Sequence, residues 1–478
     1  MATAIGLRAE ELSRGNPWWR DPANIRNDSD LREVDQAPLK YEPDCLEGLE
    51  AGGLYILRGP RRVGKTVAVK QTIRALLAAG VNPRAIVQVA VDGWDAKDLR
   101  TVATNTALPK IADGEIRYWF IDEISAVTGD WAQQIKWLRD NDDAFRHATV
   151  VLTGSDATAL TEATGVLAGR RGAIDVDRVL MPMGFRTFVK MIVPRGDIPD
   201  LGLLGLDQLH SHDAQRLFES STPWLSVLTD AWERYLQYGG FPQSVAAAVV
   251  SDPIPSTFVD AMFHVIFRDA FGTSRLPEAT AVALLARLWD NLGSPSNLTS
   301  VGEELGISKE VVGRHVGYLH DSYLLWECQR VEESGGSPTW TPVPGAQRKL
   351  YATDPVLARL PHLRNSRWSD PDITALTEMQ IGMAIRRRIL TNRTALAPDE
   401  SVFYYRTPSR KEVDFVSEYL GKSAIEGKYV ERGSWASEAA TVNASPWRGI
   451  LVTRNVLDVA GRDAWAVPAG TLAFVIDN

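Results

Sequence analysis

Gly59-Pro60-Arg61-Arg62-Val63-Gly64-Lys65-Thr66 satisfies the spacing G-x-x-x-x-G-K-[ST] at every fixed position. That spacing predicts a nucleoside triphosphate site where a strand leads into the loop and a helix leads away from it. Both are expected here. Leu54-Tyr55-Ile56-Leu57 is a short apolar run suited to a buried strand, and Val69, Ile73, Leu76 and Leu77 recur at helical spacing until Gly80 supplies a stop. In such a loop the N–H groups from Arg62 to Lys65 would face the β-phosphate of ATP, at the positive end of the helix. Lys65 would reach the β and γ oxygens, and the Thr66 hydroxyl would ligate Mg²⁺.

Outward from the loop, apolar strand runs alternate with helical segments from Gly53 to about Met183, the pattern of a parallel sheet covered on both faces. Ala85-Ile86-Val87-Gln88-Val89-Ala90-Val91 is one such run, and a helix follows from near Asp95. Tyr118-Trp119-Phe120-Ile121 then runs straight into Asp122-Glu123. Asp122 would hold Mg²⁺ through its water shell and Glu123 would polarise the attacking water as general base. Asp130 is placed to cap a helix whose Trp131, Ile135 and Leu138 share a face. Ala148 to Ser155 is a further buried strand with a polar tip; Ser155 either senses the γ-phosphate or opens the next helix.

The 478 residues exceed one ordinary core and suggest roughly three domains. An apolar fraction of 45%, a charged fraction of 23% and no apolar run of membrane-spanning length predict a globular chain without a membrane partner. The N-terminus lacks the layout of a secretory signal, and Cys45 and Cys328 lie far apart, which fits a cytoplasmic chain. The net charge of −8 excludes a wholly basic nucleic-acid binder but not a local basic patch. Residues 1–50 form an arm rich in Asn, Asp, Arg and Pro, whose Trp18 and Trp19 are expected to pin it to the core.

Gly59 to Thr66, Tyr118 to Ser125, Leu152 to Ser155, Gly169-Arg170-Arg171 and Met181 to Phe188 together resemble the AAA+-type ATPases of bacteria and archaea that carry a C-terminal restriction-endonuclease-like domain of unknown function. The resemblance spans most of the chain. Tyr238 to Pro242 and Phe267-Arg268-Asp269 look like that family's helical lid. Met181-Pro182-Met183-Gly184 departs from the Pro-Leu-Ser-Phe type of run usual there, and Asp156 follows Ser155 where a small residue is common. An ATPase of this kind needs a cation against the charge developing on the γ-phosphoryl group, so Arg170 or Arg171 is a candidate arginine finger, in its own subunit or a neighbour's. A homo-oligomer is therefore an open expectation.

Residues 184–275 read mainly as helices, with a Pro/Gly-rich break between Pro194 and Gly205. His210 and His212 follow that break and read as ordinary surface residues rather than metal ligands. From about Leu284 the pattern changes to a helix-turn-helix: Ser300 to Leu305, a turn at Gly306-Ile307, and a longer helix capped by Ser308 that carries Lys309 and Arg314. Tyr323 to Cys328 would be the strand of a wing, and the turn formers from Glu333 to Gly345 a wing tip or linker.

A second constellation lies beyond it. Val413-Asp414-Phe415-Val416 and Ala424-Ile425-Glu426-Gly427-Lys428-Tyr429 read as two strands, and residues two apart on a strand share a face. Glu426 and Lys428 therefore project together, with Asp414 on the neighbouring strand and Glu378 on an amphipathic helix from Leu376 to Ile389. This arrangement resembles the PD-(D/E)xK nuclease fold, which implies a divalent ion, Mg²⁺ or Mn²⁺, on Glu378, Asp414 and Glu426, with Lys428 orienting or activating water for phosphodiester hydrolysis. From Gly345 onward 18 Lys/Arg face 15 Asp/Glu, and Arg386-Arg387-Arg388 lies on the helix of Glu378, so DNA is an expected partner.

The expectation is thus an α/β multidomain chain. Residues 1–50 are the arm, 51–183 an AAA+-like P-loop core with a parallel sheet, 184–275 a helical lid, 276–344 a winged helix and linker, and 345–478 a nuclease-like α/β domain. ATP turnover would license the C-terminal site on DNA, in defence against foreign DNA or genome maintenance. The alternative is an ATP-driven switch that binds DNA or a protein through a catalytically inactive C-terminal domain.

Overall fold

The computed structural model describes residues 10–477 except 105–107, 155, 268–275, 335–336, 393–400, 432–434 and 462. The chain divides into two compact units, Met1–Leu180 and Met181–Asn478. Among the described residues no helix is long and apolar enough to cross a membrane.

In the first unit β1 (Leu54–Arg58), β2 (Ile86–Ala90), β3 (Tyr118–Asp122), β4 (Thr149–Thr153) and β5 (Asp177–Val179) form one sheet in the order β2-β3-β4-β1-β5. Every pairing is parallel. Parallel neighbours need crossovers, and the helices Lys65–Ala78, Ala96–Ala103 and Trp131–Asn141 supply them. Crossovers cover both faces, which is why all five residues of β1 and of β4 are buried. The strand order matters for the site, because β4 stands between β1 and β3 and brings its own C-terminal end beside theirs.

The arm protects the edge strand β2. The Asn16 amide donates to the Gln88 carbonyl at 2.8 Å and accepts the Gln88 N–H at 2.6 Å, so a side chain continues the ladder where, among the described residues, no further strand does. The indole N–H groups of Trp18 and Trp19 both donate to the Ile86 carbonyl, at 3.1 and 2.7 Å. Trp18 is buried as well, where its ring removes a large apolar area from water.

The second unit is built on a larger sheet: β6 (Pro295–Ser296), β7 (Leu325–Ser334), β8 (Ser337–Thr339), β9 (Arg348–Ala352), β10 (Phe403–Arg406), β11 (Glu412–Val416), β12 (Ser423–Val430), β13 (Arg448–Thr453) and β14 (Ala464–Pro468). The described strands run in the order β14-β13-β12-β11-β10-β7-β9-β6, with β8 paired to β7. The β10-β11-β12 meander is antiparallel, whereas β12-β13 and β13-β14 are parallel.

This sheet corrects the expected boundary at residues 344/345. β7, read from sequence as part of a wing, pairs with β9 on one side (Trp326 opposite Tyr351) and with β10 on the other (Gln329 opposite Phe403). Leu325, Trp326, Cys328 and Val331 are buried, and a strand with that much apolar surface is stable between two neighbours rather than on an edge. Glu333 and Ser334 of β7 pair antiparallel with Pro338 and Ser337 of β8, so the stretch does not separate two domains.

The helical stretch from residue 184 belongs to the same unit. The Phe185 N–H donates to the Asp477 carboxylate at 2.7 Å, and Arg186 donates to the Phe474 carbonyl at 2.8 Å. Asp477 also takes a bidentate pair of bonds from Arg387, at 2.9 and 2.8 Å. These contacts tie the helix Phe185–Ile192 to the helices Ile373–Asn392 and Ala469–Ile476. The lid motif residues Arg268 and Asp269 lie outside the described residues.

Candidate functional site

The phosphate-binding loop leaves β1 at Arg58 and enters the helix at Lys65, whose N-cap is Gly64 in a left-handed conformation with φ 100°. Gly59 has φ 140°, and a Cβ built there would lie 2.0 Å from the Leu180 carbonyl oxygen. A side chain at Gly59 would have to displace the Leu180 backbone, and the φ at Gly64 is one that residues with a side chain rarely adopt, which is what fixes the loop's shape. Arg62, between them, holds φ 65° without a glycine's freedom, a strained geometry of the kind found in ligand clamps. Pro60, Arg61 and Val63 complete the turn, with Arg61 exposed and Val63 buried.

Lys65 is buried, and its ammonium donates to the carbonyls of Gly59 (2.8 Å) and Pro60 (2.9 Å). Burial pulls its pKa down to about 8, partly offset by the charges of Glu123 and Asp122. The cation is thus held across the loop by neutral acceptors, an arrangement ready to exchange them for phosphate oxygens. The Thr66 hydroxyl donates to Asp122 Oδ2 at 2.8 Å. A hydroxyl oxygen and a carboxylate side by side at a helix N-terminus fit Mg²⁺, which takes few protein ligands and keeps phosphate and water oxygens for the rest. Thr66 would hold the ion directly and Asp122 through water, and the ion would screen the negative charge of the phosphates.

Thr153 at the end of β4 was not singled out from sequence. Its hydroxyl donates to Asp122 Oδ1 and accepts the Glu123 N–H at 3.2 Å, so the intervening strand orients both carboxylate residues. The available signal was the polar end of an otherwise apolar strand. Glu123 has φ 56°, a strained left-handed geometry for a residue with a side chain, directly after Asp122. Ser155 lies outside the described residues.

The two arginines differ. Arg171 is buried, donating to the carbonyls of Leu54 (3.2 Å) and Val176 (2.7 Å) and to Asp177 Oδ2 at 2.7 Å. All three guanidinium nitrogens are engaged in the seam between β1 and β5, so this residue serves the sheet. Arg170 stays at the surface, paired with Asp140 at 2.7 Å.

In the second unit Glu378, Asp414, Glu426 and Lys428 are brought together. Glu426 Oε2 accepts the Asp414 N–H at 3.3 Å, and Asp414 Oδ2 accepts the Gly427 N–H at 2.9 Å. The Lys428 ammonium sits 2.8 Å from Glu426 Oε1. Sequence reading missed two further members. Lys349 on β9 reaches Asp414 Oδ1 at 2.8 Å and Glu378 Oε1 at 3.2 Å, and the Tyr351 hydroxyl, two residues on, donates to the same Glu378 oxygen. Burial works against the Lys349 charge, but Asp414 and Glu378 outweigh it and hold its pKa well above the ordinary value. Burial, then the neighbouring Asp414 charge, pushes Glu378 and Glu426 upward.

The expected divalent ion does not fit this arrangement. An ammonium already stands between Glu378 and Asp414, where the ion would need the same oxygens at little more than about 2 Å. Among the described residues no three His, Cys, Asp or Glu side chains are grouped so as to hold a metal ion. The basic run is corrected as well: Arg386 and Arg387 are buried, Arg386 over the Trp326 ring at 4.6 Å and Arg387 on Asp477, so they offer no phosphate-binding face. In the helix Ile373–Asn392 every residue from Leu376 to Arg387 is buried, so it is not an amphipathic surface helix.

Residues 52–189 match the family model of the AAA domain, and residues 229–366 match that of a domain of unknown function (DUF8612). No curated protein matches the chain. Among solved structures it is similar to the Walker-type ATPase paby2304 of Pyrococcus abyssi, at 14% identity and a TM-score of 0.34 over 71% of this chain and 95% of that one. It is also similar to the ORC2 protein of Aeropyrum pernix, at 13% identity and a TM-score of 0.32 over 68% and 89%. A third is the RuvB T158V protein of Thermotoga maritima, at 15% and 0.25 over 66% and 90%. Loop geometry and the matched family model lead to one assignment: residues 52–189 are an AAA-type P-loop ATPase domain.

Proposed function

We propose that the chain binds Mg-ATP on Gly59–Thr66, hydrolyses it, and uses that turnover as a switch on what its second unit binds. The observation that carries the ATPase half is the Thr66 hydroxyl on Asp122, 2.8 Å apart beside a buried Lys65. In this reading Lys65 neutralises β and γ oxygens, and the loop N–H groups hold the phosphates in place. Glu123 takes a proton from the attacking water, and Thr153 keeps Asp122 and Glu123 in register. Ser155 senses the γ-phosphate, and Arg170, at the surface, acts as finger toward a neighbouring subunit of a homo-oligomer.

For the second unit the best-supported reading is binding without cutting, because Lys349 fills the cation position of the carboxylate cluster. The helices Leu298–Leu305 and Lys309–Asp321 would be the DNA-reading pair of a winged helix, with Lys309 and Arg314 exposed on the second. The helices from residue 184 to 275 would serve as the ATPase lid. A second reading, ATP-governed DNA hydrolysis, is favoured by a different observation: Asp414, Glu426 and Lys428 meet on adjacent strands with Glu378 beside them.

Phosphate release by wild type, Lys65→Ala and Glu123→Gln tests the ATPase half, and normal turnover in both variants would remove it. Plasmid, linear duplex and single-stranded DNA incubated with Mg²⁺ or Mn²⁺, with and without ATP, tests the other half. No cutting is expected. Cleavage that disappears in Glu426→Ala/Lys428→Ala would install the nuclease reading instead.

A further inference from the structure

We infer that the Lys349 ammonium is the resident cation of the Glu378–Asp414 cluster and that this lysine excludes divalent ions from it. Lys349 lies on β9, and its partners come from other elements: Asp414 from β11 and Glu378 from the helix Ile373–Asn392. Its side chain is 1% exposed, so the ammonium has no route to water that keeps its stem in place. Glu412 Oε1 stands 3.8 Å away as a third acidic neighbour, and the ring of Tyr404 lies 5.6 Å from the ammonium. Carboxylates converge on it from two elements, and an aromatic face closes another side.

A cation in that position and a divalent ion on the same oxygens would stand only a few ångströms apart. A divalent ion bridging those carboxylates would take Asp414 Oδ1 and Glu378 Oε1, the oxygens the ammonium already holds at 2.8 and 3.2 Å, so the two occupants compete for one place. Lysine suits the task because its ammonium is a compact charge with three donors, able to address two carboxylates from one point. Tyr351 makes the arrangement specific. Lying two residues from Lys349 on the same face of β9, it bonds Glu378 from the same strand and fixes the carboxylate toward the ammonium.

The inference deepens the non-cutting reading and rests on it, but its test measures binding and not cleavage, so either can fail alone. Mn²⁺ is titrated into the nucleotide-free full chain, with free Mn²⁺ read by electron paramagnetic resonance. Wild type, Lys349→Met, Asp414→Asn, Lys349→Met/Asp414→Asn and Lys349→Arg are compared. Wild type and Lys349→Arg are expected to show no Asp414-dependent Mn²⁺ site, while Lys349→Met gains one, at least about tenfold tighter than any wild-type binding, that the added Asp414→Asn removes. A folded Lys349→Met with no gain overturns the inference. So does a wild-type Mn²⁺ site that Asp414→Asn alone abolishes, an outcome that can be read even if Lys349→Met does not fold.

Discussion

Lys65 and Lys349 are both buried ammonium groups, one in each unit, and their surroundings are opposite. Lys65 donates to two neutral carbonyls and its pKa falls to about 8; Lys349 is gripped by two carboxylates and its pKa is held well above the ordinary value. The first is a buried cation still short of anions, which is the state of a binding site. The second has found its anions within the chain, which is the state of a closed ion cluster. Burial alone therefore does not mark a lysine as functional; the charge of what it touches decides. His210 makes a third case. It is bonded to the Ser423 hydroxyl at 2.9 Å and the Gly449 carbonyl at 3.1 Å, with no carboxylate on either ring nitrogen. Burial first, and then the charge of Arg448, lowers its pKa to about 4.

The largest effect is expected where a cation awaits its ligand. Lys65→Ala should lower ATP turnover at least about a thousandfold, since it removes the buried ammonium that would meet the β and γ oxygens. A loss below tenfold in a phosphate-release assay would put Lys65 in the same class as Lys349. The reverse test is on stability: Lys349→Ala leaves buried carboxylates without their counter-ion and should cost about 3 kcal/mol in the urea-induced transition of the second unit. Lys65→Ala, which removes a charge with no carboxylate bonded to it, should shift the transition of the first unit far less. Equal shifts would break the comparison.

Two smaller effects sharpen it. Glu123→Gln should retain ATP in equilibrium binding while turnover falls about a hundredfold, separating the chemistry from the phosphate cradle. His210 supplies the pH dependence. Its folded pKa, about 4, lies below the ordinary histidine value, so its contribution to stability is complete above about pH 6.5 and is lost as pH falls toward 4. His210→Gln should therefore flatten thermal stability between those limits by up to about 3 kcal/mol. An unchanged acid slope in that variant would show that burial beside Arg448 does not hold His210 unprotonated.

The ATPase fold was legible because its signal is local. Eight consecutive residues fix the loop, the strand before it and the helix after it adjoin it in sequence, and Asp122-Glu123 end an apolar run. Thr153 escaped because its function comes from strand order: only the placement of β4 between β1 and β3 puts its hydroxyl on Asp122. In the second unit Asp414, Glu426 and Lys428 followed from strand periodicity, but Lys349 and Tyr351 enter from β9, whose place beside β7 no local pattern encodes. A lysine directly before the apolar run Leu350-Tyr351-Ala352 was the one available clue. Arg386-Arg387-Arg388 misled for the opposite reason: arginines on a helix suggest a wet face until Asp477 and Trp326 are seen to receive two of them.

The Phe185 N–H on the Asp477 carboxylate joins residues 292 positions apart. At about 5–20 residues per second of synthesis, the interval between making one partner and the other is roughly 15–60 seconds. Throughout that interval the helix at Phe185 has no Asp477 to hold it, and Arg387, once made, waits for the same carboxylate. The P-loop unit, whose strands all lie before residue 180, can close its own core while this is happening. Ribosome-bound chains should therefore acquire a protease-resistant ATPase unit well before the second unit gains comparable protection, and a chaperone that guards nascent chains would meet residues 185 to 477 for longest.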